Sequence, residues 1–312
     1  MAGESFDVLL VPPPAQPFLD PAHWWASVGA RRDPDAPSID RAILAAVHAD
    51  RIAWAFAVGY AEALIHLVPK LAPSTLAALA VTEAGGNHPR AIATTLTLRG
   101  QEWVLSGEKR WVTLGPQGGV FLVAAKVGEE QGRPALKVVV VPSDAPGVRV
   151  TPLDELPFVP EIPHASLSLQ DVLVPAEAIL PGDGYQRYVK PFRTIEDLFV
   201  NAAVGAYVLG HAGRSGWPEA WREQLYAAVL GLKAISESPP DAPNTHLALA
   251  GALTTLRALY ETAEPWWEGE AKDRWQRDRA LFQVAGRARG LRRERAWNVL
   301  RGTTTAPAGA QD

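Results

Sequence analysis

The hydrophobic period changes twice along this 312-residue chain, and that change constrains the fold more than any other feature. Residues 40–68 place apolar side chains every three or four positions, the spacing of a helix face. From about residue 80 the repeat is every second position, as in strands: TTLTL, EWVLS, VFLVAAK, LKVVVVP and HASLSLQDVLVP. Gly107, Gly115, Gly118, Gly119, Gly132 and Gly147 punctuate those runs. From about residue 190 the helical repeat returns in four long stretches joined by short connections. The expected fold is therefore multidomain. Residues 1–78 form an N-terminal helical region and residues 79–185 a central antiparallel β-barrel-like domain. Residues 186–304 form a C-terminal four-helix bundle and residues 305–312 a disordered tail.

Within that frame, the proline-rich residues 1–38 are predicted irregular, and residues 40–68 one helix. Ser74 is placed to cap a short helix over LAALA at 76–80. Arg99-Gly100-Gln101 reads as a hairpin turn. The bundle helices are expected over 192–212, 220–236, 246–267 (capped by Asn244-Thr245) and 272–300.

Composition excludes several classes. There is no cysteine, so disulfides, thiolate metal sites and cysteine nucleophiles are ruled out. A net charge of -4 gives no electrostatic reason to bind nucleic acid. No apolar run approaches the roughly 18 residues of a membrane span. The first residues carry acidic groups and only a short apolar run, unlike a signal peptide, so the expected location is the cytoplasm.

The segment at 81–113, VTEAGGNHPRAIATTLTLRGQEWVLSGEKRWVT, carries the chemistry. It has a Thr-Glu at a strand end, a tight Gly85-Gly86 turn, a hairpin, and a strand ending Trp111-Val112-Thr113. This order resembles the flavin-facing part of the acyl-CoA dehydrogenases, where T-E-P-x-A-G-S-D and G-x-K-x-W-I-T-N flank the isoalloxazine ring. Further on, Asp171-Val172-Leu173-Val174-Pro175 resembles the family's D-V-x-V-P strand. Gly182-Asp183-Gly184-Tyr185 resembles its G-x-G-aromatic lead into the C-terminal bundle. Helices, a β domain and a helical bundle in that order are also the family's layout.

The resemblance implies FAD as cofactor. Thr82 and Thr113 match the ring-contacting threonines, Trp111 the aromatic that covers one ring edge, and Val81 and Val112 their strand neighbours. Gly86 and Asn87 stand in the family's A-G-S-D turn, with Asn87 nearest its serine. His88 reads either as a phosphate or proton contact or as a surface turn residue. The base that removes the α-proton is in most members a glutamate in a Y-E-G-T loop, which this chain lacks. A minority carry it on the first bundle helix in a segment like L-E-R-L. Ile195-Glu196-Asp197-Leu198 falls there, so Glu196 is the candidate catalytic base; the alternative is an ordinary first-turn carboxylate favouring the helix dipole.

The resemblance also implies an acyl-CoA substrate, a homodimer or homotetramer, and an electron-transfer flavoprotein as partner. The chain departs from the family in lacking Q-x-x-G-G-x-G-Y and R-x-x-F-G, which hold the adenine half and pyrophosphate of FAD. Arg287, Arg289, Arg292, Arg293 and Arg295 share a terminal helix that either grips phosphates or lies solvated. Three functions follow: an acyl-CoA dehydrogenase, a noncatalytic relative acting as a binding or scaffold partner, or a flavin oxidase or monooxygenase on the same fold.

Overall fold

The structure, a computed structural model, describes residues 6–18, 20–31 and 33–303; the tail expected at 305–312 lies outside them. The chain opens with helices α1 (Pro21–Arg31), α2 (Ser38–Ala46) and α3 (Ile52–Leu67). The proline-rich start is thus not wholly irregular. Asp20 accepts the His23 N–H at 2.8 Å at the start of α1, and Trp24 stacks on Trp54 of α3 at 6.0 Å.

The helix predicted over 40–68 is two helices. Gln16 N–H donates to the His48 carbonyl at 2.8 Å, and Arg214 to the Val47 carbonyl at 3.0 Å. Those carbonyls bond across the fold instead of along a helix, which breaks the run there.

Strand β1 (Ala77–Ala80) replaces the short helix expected over LAALA. Five residues cannot repay helix nucleation alone. Ala77, Ala78 and Ala80 are buried, and β1 pairs in parallel with β4. The remaining strands are β2 (Thr95–Arg99), β3 (Glu102–Thr113), β4 (Val120–Glu130), β5 (Arg133–Pro142), β6 (Val148–Pro152) and β7 (His164–Val174). Their order is β1-β4-β2-β3-β7-β6, with β5 also on β4. Pairing is mostly antiparallel, but β1 and β2 both run parallel to β4. The sheet therefore curls as a mixed one. Gly100, at φ 66°, makes the β2–β3 turn.

A π-turn at Tyr185–Val189 leads into α4 (Lys190–Arg214). Then come α5 (Glu219–Ser236), α6 (Pro243–Ala263), α7 (Gly269–Asp278) and α8 (Gly286–Leu300). Asn244 and Thr245 do not cap α6, which starts at Pro243; Thr245 instead donates to the Pro239 carbonyl at 2.8 Å. The last predicted helix is broken between α7 and α8. Asp278 turns inward to accept the N–H of Val159 at 2.8 Å, and Ala285 is left-handed at φ 65°.

Helix α3 is apolar on nearly every side and so must be surrounded. It packs against α2 and α4, and one hydrophobic core runs through both helical parts of the chain. Gly59 makes the α3–α4 approach possible: a Cβ there would lie 2.8 Å from the Val200 Cα. That crossing brings Tyr60 of α3 beside the first turns of α4.

Candidate active site

The strand ends at 81–83 and 110–113 are held together by a buried carboxylate. Glu83 accepts from Lys109 Nζ at 2.6 Å, from the Thr94 hydroxyl at 2.7 Å, and from the N–H groups of Ala93 and Thr94. Burial opposes its charge, but Lys109 and these donors hold the Glu83 carboxyl below the usual carboxylate range. Lys109 also reaches the Val81 carbonyl, and Arg110 N–H donates to the Thr82 carbonyl at 2.8 Å. Thr82 is thereby fixed against β3.

The β3–β7 register slips between Lys109 and Val112. At that bulge Trp111 adopts φ 59°, a strained conformation for an aromatic residue. Its ring turns outward and is 49% exposed, while Val112 is fully buried in the sheet core. Thr113 then faces His164, its register partner on β7, with Thr113 Oγ1 3.3 Å from Nε2. The Nδ1 of His164 lies 3.1 Å from the Ile162 carbonyl, which only accepts, so Nδ1 carries the hydrogen. Burial lowers the His164 pKa and keeps the ring neutral. Nε2 is therefore an acceptor and the Thr113 hydroxyl donates to it.

Glu196 lies on α4 facing this strand end. A cavity of about 150 Å³ is lined by Glu196 together with Tyr60, Val81, Thr82, Asn87, Thr113 and Arg193, among others. Burial, reinforced by the charge of Asp197, pushes the Glu196 carboxyl up to about 7, against the pull of Arg289, Arg292 and Arg193. Its neighbour Asp197 is spent elsewhere, accepting from Arg289 at 2.6 Å and from Arg292. The adjacent carboxylates thus divide into one ion-paired and one poised near neutrality. Two arginines of the terminal run therefore serve Asp197. Tyr60 oxygen accepts the Leu79 N–H at 2.9 Å, and burial raises its pKa, so its hydroxyl stays protonated.

The structure thus brings Val81, Thr82, Asn87, Thr113 and Glu196 around one cavity. Gly86 turns beside it at φ 103°, its N–H donating to the Glu83 carbonyl at 2.9 Å. Trp111 lies outside the cavity lining, edge-on to His164 at 6.3 Å. Val112 offers only its backbone. His88 is exposed and accepts the Arg90 N–H.

Tyr60, Glu83, Lys109 and His164 escaped the sequence reading. Tyr60 had a signal, a lone hydroxyl in an apolar helix. Lys109 stood in the quoted motif, but nothing local paired it with a residue 26 positions earlier.

The middle of the chain is similar to a known domain: the family described as acyl-CoA dehydrogenase, middle domain, matches residues 78–172. A probable acyl-CoA dehydrogenase, YngJ, of Bacillus subtilis (strain 168) is 31% identical over 134 residues, 40% of this chain and 34% of that protein. The glutaryl-CoA dehydrogenase of Desulfococcus multivorans is 32% identical over 150 residues, 46% of this chain and 38% of that protein. The chain thus spans well under half the length of these curated relatives. Among solved structures, butyryl-CoA dehydrogenase from Megasphaera elsdenii is similar with a TM-score of 0.67 at 16% identity, covering 89% of this chain and 90% of that one. Acyl-CoA dehydrogenase from Geobacillus kaustophilus gives 0.66 at 16% identity, covering 89% and 90%. At that identity the likeness is one of fold.

Proposed function

We propose that this chain, whose middle is similar to the acyl-CoA dehydrogenase middle domain, dehydrogenates an acyl-CoA thioester, with FAD as cofactor and Glu196 as general base. The observation that carries this reading is the convergence of Thr82, Thr113 and Glu196, from three separate elements, on one cavity.

The residues fit a flavin ring. The hydroxyls of Thr82 and Thr113, the N–H groups of the strand ends, the Gly86-Asn87 turn and the exposed Trp111 ring would hold it. The cavity is smaller than the roughly 300–1,000 Å³ of a ligand pocket. FAD, when bound, supplies the acceptor for the hydride that leaves the β-carbon.

Ionised Glu196 takes the proton from the α-carbon, and the electrons of that C–H bond become the new double bond. A carboxyl near 7 is half ionised at neutral pH, matched to proton abstraction. Tyr60 keeps a hydrogen to offer the thioester oxygen, because its own oxygen already accepts from Leu79. An electron-transfer flavoprotein as acceptor and assembly through the C-terminal helices belong to the same proposal.

The test is anaerobic mixing of the FAD-loaded protein with acyl-CoA. Glu196→Gln should abolish flavin bleaching and leave FAD content unchanged; normal bleaching sinks the assignment. A second reading, a noncatalytic relative, is favoured by the absence of the adenine-binding segments from the sequence. A colourless protein that FAD cannot reconstitute selects it.

A further inference from the structure

Asp197 is a buried carboxylate whose counter-charge comes from the far end of the chain. It stands on α4 beside Glu196 and is 6% exposed. Among the described residues, its carboxyl oxygens accept only from α8: from Arg289 at 2.6 and 3.0 Å, and from Arg292. Arg289 donates again to the Phe282 carbonyl at 3.2 Å, just before α8, which fixes the guanidinium in place. Glu196, Asp197 and Arg289 all line one narrow cavity of about 80 Å³. Helix α8 is otherwise loosely attached. Ala296 is its one buried residue, and its main packing partner is α6. The bridges to Asp197 tie it to α4.

We infer that Arg289 and Arg292 are positioning residues for the base. By holding Asp197 as the carboxylate of the adjacent pair, they leave Glu196 as the member that exchanges a proton. The chemistry of the site thereby depends on the seating of a peripheral helix. This rests on the reading of Glu196 as the base.

The physical reason is like-charge repulsion away from water. Two largely buried carboxyls on adjacent residues do not both ionise near neutrality unless one of them is neutralised. Without the arginines, the pair would share one proton and give it up only at a higher pH. With them, one charge is answered and the other carboxyl titrates alone. The groups that face Glu196 are Asp197 and Arg193 on α4, Arg289 and Arg292 on α8, and Tyr60 on α3. Burial and the charge of Asp197 raise the Glu196 carboxyl, and the α8 arginines oppose them.

A carbon-13 titration of the purified full chain, with its glutamate carboxyl carbons labelled, tests this without flavin or substrate. The Glu196 signal is the one lost in Glu196→Gln. In the wild type it should titrate at about 7. In the double variant Arg289→Met, Arg292→Met its midpoint should rise by about one pH unit or more, the effect of losing opposite charge close by. Adding Asp197→Asn to that variant should bring the midpoint back down, and Asp197→Asn alone should lower it below the wild type. Circular dichroism checks each fold, and the opposite directions of the two shifts are not what unfolding produces. Arginines that served only to anchor α8 predict a different result. Their loss would admit water to Glu196 and drop its midpoint toward 4.5. A drop or no change in the double variant, or no fall in Asp197→Asn, overturns the role of the arginines alone. Anaerobic flavin bleaching by acyl-CoA that survives Glu196→Gln overturns the base reading, and this role with it, wherever the midpoints fall.

Discussion

The hydroxyl of Thr113 donates to Nε2 of His164, 3.3 Å away across the β3–β7 pair. The histidine cannot reciprocate, because its one ring hydrogen is spent on the Ile162 carbonyl. Thr113 therefore presents lone pairs, not a hydrogen, to the cavity. A ligand atom that carries a hydrogen satisfies it better than a bare acceptor does.

His164→Phe releases that hydroxyl. Under the proposed function, the reduced flavin, which carries an added N–H, loses its preference at this site. The midpoint potential should fall by about 20 mV, the equivalent of one neutral hydrogen bond in a two-electron couple. Spectroelectrochemistry reads it, and an unchanged potential and visible spectrum in both His164→Phe and Thr113→Val would remove Thr113 from the flavin contacts.

Glu196 makes stability depend on pH in an unusual direction. Its folded value of about 7 lies above its unfolded value of 4.5, so between those limits the folded chain holds a proton the unfolded chain has lost. Asp197, Arg193, Arg289, Arg292 and Tyr60 are the groups that face it. This site's contribution is fully present below pH 4.5 and is lost as pH rises through 7. Glu196→Gln should match wild type at pH 4.5 and exceed it at pH 8 by up to about 3 kcal/mol, from 1.36 kcal/mol per unit. Urea melts at the two values decide it. Under the proposed function, turnover should run the other way, rising through pH 7 as Glu196 ionises.

Lys109→Met strands the Glu83 carboxylate inside the sheet. Breaking a buried pair on one side costs about 3–5 kcal/mol. Lys109→Met with Glu83→Gln should recover much of that loss, measured by denaturant midpoint. Equal stability of the single and double variants would show that the pair does not hold the strand ends.

Gly59→Ala places a methyl 2.8 Å from the Val200 Cα and 2.9 Å from the Phe199 carbonyl oxygen. Both contacts are backbone and cannot swing aside. Overpacking of this kind costs about 1–3 kcal/mol. The melting temperature should drop, and Tyr60 should move away from Glu196, which under the proposed function weakens substrate binding.

Periodicity made the helix–sheet–helix order legible, because burial on one face leaves its spacing in any amphipathic element. The strand-end motif likewise made Thr82 and Thr113 readable as a pair. What escaped was decided by partners distant in sequence. The LAALA segment is strand because β4 lies beside it, 43 residues on in register, as Ala77 opposite Val120 shows. The 40–68 helix breaks because Arg214 and Gln16 claim its carbonyls. His164 matters only once the bulge at Trp111 sets it opposite Thr113. Glu196 could be nominated from its place on a helix, but its separation from Asp197 required the arginines of α8.

The packing of α3 against α4 has a consequence for the chain as it is made. Helix α3 is coated with apolar side chains, and its main partner lies more than a hundred residues downstream. At roughly 5–20 residues per second, about ten seconds pass between the emergence of the two. For that interval a bare greasy cylinder hangs from the ribosome while the sheet is still being spun out behind it. The same helix that later walls the cavity is, until then, the segment most in need of a chaperone.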